Sequence, residues 1–151
     1  MGDDKVFTFQ KQLGIGSAGE NLFLQRYKGS TKTDGRKSDL TFQEKLVELK
    51  TDTYSMERTS NFFMEHYGSI EGQKIGGPWR AAQDDVHYFV YLYIEQQAFY
   101  WFESKPLVKF LDTYIKQLKP KTVRNKGYTT LGYAVPRAGV DHLVVKRDMF
   151  K

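Results

Sequence analysis

The sequence predicts an α/β (α+β) layer fold built around a mixed sheet. Several strand-length segments carry apolar residues at period two or as short apolar runs. Two segments instead show helical spacing, near 18–28 and 106–118. No repeat, low-complexity stretch or long linker interrupts the 151 residues, so residues 1–151 are expected to form a single domain with a real core.

The elements follow in order. "KVFTFQKQL" (5–13) alternates apolar and polar residues and predicts a strand. Ser17, with Glu20 three residues on, has capping-box spacing and predicts a helix start. "AGENLFLQRYK" (18–28) continues that helix, with Leu22, Phe23 and Tyr27 toward the core and Gly29 as its stop. "DLTFQ" and "KLVELKTD" predict two strands joined tightly through Gln43, Glu44 and Lys45, and "TSNFFMEHY" predicts another. "SIEGQKIGGP" reads as a loop, with Pro78 opening a short helix, "PWRAAQDD". "VHYFVYLYIEQQAFYWFES" predicts an aromatic hairpin turning near Glu95 to Gln97. Pro106 opens the second clear helix, with Leu107, Val108, Leu111, Tyr114, Ile115 and Leu118 at helical spacing. Lys116 to Lys126 is basic without an acid and reads as a solvated loop. The rest of the chain predicts short strands that cap the sheet.

Composition narrows the function. No apolar stretch is long enough for a transmembrane helix, and the first residues lack the regions of a signal peptide. The chain has no cysteine, which excludes disulfides and thiolate metal sites and suits a cytoplasmic setting, prokaryotic or in a phage-infected cell. A net charge of +5 favours a polyanionic partner.

"VELKTDT" (47–53) carries the chemistry. Strand side chains alternate, so Glu48 and Lys50 share one face while Val47 and Leu49 share the other. Asp39 precedes Leu40 and Phe42 on the strand before. A two-residue turn makes the pairing register odd and sets Asp39 opposite Glu48 or Lys50; an even register would drive Asp39 into the core. Burial of Leu40, Phe42, Val47 and Leu49 therefore favours a cluster of Asp39, Glu48 and Lys50. Two facing carboxylates repel unless a hard divalent cation, Mg²⁺ or Mn²⁺, neutralises them. A lysine beside them can orient a water or offset charge developing on a phosphate.

"SDLTFQEKLVELK" resembles the signature of the PD-(D/E)XK nuclease superfamily, with Asp39 as the first acid and Glu48-Leu49-Lys50 as the acid-x-Lys element. Glu20, in "GSAGENLFLQ", matches the glutamate that many members carry on the preceding helix. The superfamily's proline before the first acid is Ser38 here. Two other acid-x-Lys copies, Asp3-Asp4-Lys5 and Glu103-Ser104-Lys105, lack a partner acid in strand context. The resemblance implies a restriction-endonuclease-like mixed central sheet flanked by helices, and its layout is similar to small Holliday-junction resolvases and phage nucleases. It further implies Mg²⁺ (or Mn²⁺) held by Asp39, Glu48, the Leu49 carbonyl and Glu20, a water positioned by Lys50, and cleavage leaving 5′-phosphate ends.

The expected function is thus a metal-dependent endodeoxyribonuclease. The alternatives are an exonuclease of the same superfamily and a DNA-binding module with a degenerate site. DNA is the expected partner and a homodimer the expected assembly. Lys28, Arg36, Lys37, Arg80 and the 116–126 run would contact backbone phosphates; Lys74 and Arg80, at the Pro78 helix, are equally readable as ordinary surface charges. Glu65 would reach the Glu48 face if its strand bordered that of Glu48, but it is expected to face solvent. His66 and His87 are expected to be structural, and the aromatic hairpin to be core on one face and not a base-stacking platform.

Overall fold

The computed structural model describes residues 9–34 and 38–151, with side chains from residue 14 onward. The fold is mixed α/β, as its residue pattern predicts, but its strands divide between two sheets instead of one.

The first sheet has six strands. Hairpin β6 (Tyr88–Tyr93) and β7 (Ala98–Glu103) lies inside it, flanked by β3 (Lys45–Asp52) and β10 (Val144–Met149); β2 (Leu40–Phe42) and β1 (Thr31–Lys32) extend the β3 side. β3 and β6 run parallel, and the other neighbours are antiparallel. Helix α1 (Phe9–Arg26) covers one face, where Phe23 and Tyr27 pack on Leu40, Val47, Val90, Leu92, Phe99 and Trp101. The second sheet covers the other face. It comprises β4 (Asn61–Ser69), β5 (Lys74–Ile75), β8 (Lys121–Asn125) and β9 (Tyr128–Pro136) in the order β5-β4-β9-β8. Phe62, Met64 and Val135 from that sheet join Tyr91, Tyr93, Tyr100 and Phe102 in the larger core. α2 (Gly77–Gln83) and α3 (Ser104–Tyr114) complete the layer, and α4 (Arg137–Val140) links β9 toward β10.

Several expectations are corrected. Phe9–Leu13 is the start of α1 and not the end of a strand; the rest of that segment lies outside the described residues. The helix runs through Gly14 and Gly16 because each added residue gains a backbone hydrogen bond once the helix is anchored at Phe23 and Tyr27. Ser17 therefore sits exposed within the helix and caps nothing, which removes the capping-box role for Glu20. The hairpin is core on both faces, since almost every residue of β6 and β7 is buried between α1 and the second sheet. The basic run expected as a loop contains strand β8. Its exposed Lys121 and Arg124 mark it as an edge strand, whose polar outer face carries no strand-like pattern.

The segment expected as a loop before Pro78 contains the short strand β5 (Lys74–Ile75), while the remaining elements stand close to where the pattern puts them. The hairpin turns through Gln96 and Gln97, and α3 opens two residues before Pro106 and tightens into a 3-10 turn at Ile115–Gln117. Gly29, with φ +88°, follows the end of α1. Among the described residues no helix is long and apolar enough to cross a membrane.

Candidate active site

The β2–β3 pairing sets the site. Leu40 lies across from Val47, Thr41 from Leu46 and Phe42 from Lys45, the odd register required by burial of Leu40 and Val47. One further step places Asp39 across from Glu48. Asp39 holds β3 on both sides of that residue: its N–H donates to the Val47 carbonyl at 3.1 Å, and its Oδ2 accepts the Leu49 N–H at 3.0 Å. A strand residue directs its N–H and C=O to the same side. The Leu49 carbonyl thus lies on the side of β3 where Asp39 sits. Ser38 is buried, and its hydroxyl donates to the Leu40 carbonyl at 3.2 Å.

The local charges are strained. Burial pushes the Glu48 carboxyl up to about 8, and repulsion from Asp39, Glu65 and Glu20 adds to that against a relieving effect of Arg80. Burial also raises Asp39. The Leu49 N–H opposes it, Glu20 reinforces it, and Arg80 and Lys32 relieve it. Among the described residues no donor hydrogen-bonds the half-buried Glu48 carboxylate.

Three other elements supply the surroundings. Gly19 lets α1 approach β3 so closely that a β-carbon there would overlap the Thr51 hydroxyl. The next residue, Glu20, is thereby brought near Asp39, and it pairs with Lys32 at 3.3 Å. Gly77 has φ +52° and would collide with the Glu65 backbone if it carried a side chain; Gly76 likewise rests against the Glu65 carboxylate. The glycine pair therefore presses the start of α2 onto β4, which leaves Arg80 and Glu65 within electrostatic reach of Glu48. Lys50 shares the Glu48 face by strand alternation and is half-buried opposite Tyr91.

The structure thus brings Asp39, Glu48, the Leu49 backbone and Glu20 into one neighbourhood. Glu65 is half-buried beside it and not solvent-facing, although β4 belongs to the other sheet. Sequence reasoning left Glu65 out and treated Arg80 as a phosphate contact or an ordinary surface charge. The signal for both was the "GGP" before α2, which permits a close approach between elements. Lys74 is exposed on β5, Lys28 is exposed, and Arg36 and Lys37 lie outside the described residues.

The histidines have structural neighbours. His66 stacks on Trp79 at 4.2 Å, and burial lowers its pKa. His87 meets Glu103 at 3.3 Å, and Lys105 pairs with Asp85 at 2.6 Å, so the acid-x-Lys copy at 103–105 is engaged in local contacts.

Among the described residues no three His, Asp or Glu side chains form a ready-made metal cage. Mg²⁺ seldom needs one, because it keeps several waters and takes one or two carboxylates. Two strained oxygen donors beside a backbone carbonyl fit such an ion. Comparison with protein-family models, curated proteins and solved structures gave no match.

Proposed function

We propose that the chain is a divalent-cation-dependent endodeoxyribonuclease of restriction-endonuclease-like type. One observation carries the reading: Asp39 and Glu48 lie across a strand pair with both carboxyls raised by burial and like charge, and Lys50 stands two residues along. A structural carboxylate is seldom left under such repulsion; one that binds a cation is.

Asp39, Glu48 and the Leu49 carbonyl would hold Mg²⁺ or Mn²⁺, with Glu20 at the margin. When bound, the ion supplies a lowered water pKa and charge stabilisation for phosphodiester hydrolysis. Asp39 is fixed for this role by the Leu49 N–H, which keeps its other oxygen available. Lys50 orients the attacking water and offsets charge on the phosphate. Arg80, exposed at the rim, steadies the scissile phosphate through its planar fork. The exposed Lys116, Lys119, Lys121, Arg124 and Lys126 hold the backbone further along the DNA. Cleavage leaves 5′-phosphate and 3′-hydroxyl ends, and a homodimer acts on paired strands in the cytoplasm.

The test is a cleavage assay with Mg²⁺ on four-way junction, flap, linear and supercoiled DNA, beside Glu48→Ala and Lys50→Ala. Nicking of the closed circle is expected, as is a loss of ~10³-fold or more in both variants with the fold retained. Cutting of linear DNA alone would identify an exonuclease. Binding without cutting would identify a DNA-binding module, and undiminished cutting by Glu48→Ala would overturn the mechanism.

A further inference from the structure

A cavity of about 410 Å³ opens at the seam between the two sheets, beside strands far from β2. Phe62 of β4 and Tyr100 of β7, both buried in the core, form its floor, and Arg137 and Arg147 stand over it with Asp141 between α4 and β10. The volume falls within the ~300–1,000 Å³ typical of small-molecule sites.

Both guanidinium groups are pre-positioned. Arg137 donates from Nη1 to the Thr59 carbonyl at 2.6 Å and to the Tyr93 hydroxyl at 3.2 Å, and it lies 5.3 Å from the Tyr93 ring centre. Arg147 pairs through Nη2 with Asp141 and lies 5.4 Å from the Tyr100 ring centre. Each fork has five N–H donors, so the remaining nitrogens of both are without a protein partner among the described residues. Stacking on tyrosine removes side-chain freedom before any ligand arrives, which lowers the entropic cost of binding. Two cations against one carboxylate favour an anion, and planar forks favour phosphate.

We infer that this cleft binds a phosphate monoester group. Arg137 and Arg147 take the phosphate, and the buried Phe62 and Tyr100 close the cleft beneath it. Asp141 occupies Arg147 in the absence of ligand and competes with the phosphate. The inference does not rest on the carboxylate cluster at Asp39 and Glu48. The same group is offered by a free nucleotide and by the 5′-phosphorylated end of a strand.

The test is calorimetric titration of the full chain in EDTA at low salt, with dAMP, deoxyadenosine and inorganic phosphate. Saturable dAMP binding is expected, with deoxyadenosine much weaker. Arg147→Gln and Arg137→Lys should each weaken dAMP by ~10-fold or more, and Asp141→Asn should tighten it by ~3- to 10-fold as the competing carboxylate is lost. A merely structural Asp141–Arg147 pair predicts lower thermal stability in Asp141→Asn without tighter binding, and that result would overturn the inference. So would the absence of dAMP saturation at millimolar concentration, or affinity undiminished in Arg147→Gln. A 5′-phosphorylated dodecamer that outcompetes dAMP and its 5′-hydroxyl counterpart would identify a strand end; parity with dAMP would identify the free nucleotide.

Discussion

Glu48 and Asp52 sit on the same face of β3, four residues apart, and are treated in opposite ways. Asp52 accepts the Tyr91 hydroxyl at 2.5 Å through one oxygen and the Tyr54 N–H at 2.8 Å through the other. Glu48 has no donor among the described residues and faces three acids within electrostatic reach. One strand thus carries a carboxylate satisfied by the fold and another that the fold strains. An acid kept for architecture gains stability from its partners, whereas an acid kept for a ligand is held in a state that the ligand relieves.

Substituting each acid by its amide tests this contrast most severely. Glu48→Gln is expected to lose DNA cleavage by ~10³-fold or more, while its thermal unfolding without metal at pH 8 is unchanged or improved. Asp52→Asn is expected to lose about 1–3 kcal/mol of stability by denaturant titration, with cleavage below its melting point held within a few-fold. If both amides lost mainly stability, the two sites would be alike and the functional contrast would be gone.

The pH dependence of stability sharpens the same comparison. The folded Glu48 carboxyl holds its proton up to about 8, against an ordinary value of 4.5. Between those values the folded chain binds a proton that the unfolded chain has lost, so stability falls as pH rises through that window. Asp39, also raised, acts in the same direction. In EDTA the melting temperature should therefore decline from about pH 5 to pH 8, and Glu48→Gln should flatten that decline. Adding Mg²⁺ at pH 8 should restore stability by RT ln(1 + [L]/Kd), about 2.7 kcal/mol at one hundred times Kd. A decline that persists unchanged in Glu48→Gln would place its origin elsewhere.

Arg80 should produce a smaller effect, because its guanidinium is exposed and already shared with Asp84 at 3.5 Å. It relieves both Asp39 and Glu48. Arg80→Ala should move the pH at which Mg²⁺ begins to protect the fold to a higher value and raise KM for DNA more than it lowers kcat. An unshifted midpoint would separate Arg80 from the carboxylates.

The parts of this arrangement that were legible in the sequence are those set by burial along one strand pair. Leu40 and Val47 must both turn inward, and that alone decides which acids face each other. Other parts depend on contacts between distant segments. Glu65 reaches the neighbourhood from another sheet, and no local pattern reports a close approach at Gly76 and Gly77. The start of α1 departs from the pattern because Phe7 and Phe9 in "KVFTFQKQL" suggest period two, while the helix is secured further on by Phe23 and Tyr27. β8 was misread because an edge strand with a solvated face alternates weakly or not at all.

The smallest effect concerns the turn that joins the two acid-bearing strands. Gln43 and Glu44 have φ of +52° and +67°, the left-handed region in which a two-residue hairpin favours Asn-Gly. Both are exposed, so neither side chain packs to justify the strain. The register that sets Asp39 against Glu48 is therefore held by Leu40 and Val47 in spite of the turn. Gln43→Asn combined with Glu44→Gly should raise stability by about 1 kcal/mol and leave cleavage unchanged, read by denaturant titration beside the DNA assay. Loss of cleavage in a more stable variant would mean that the unfavourable turn keeps the acid pair adjustable, and burial would no longer suffice to explain their alignment.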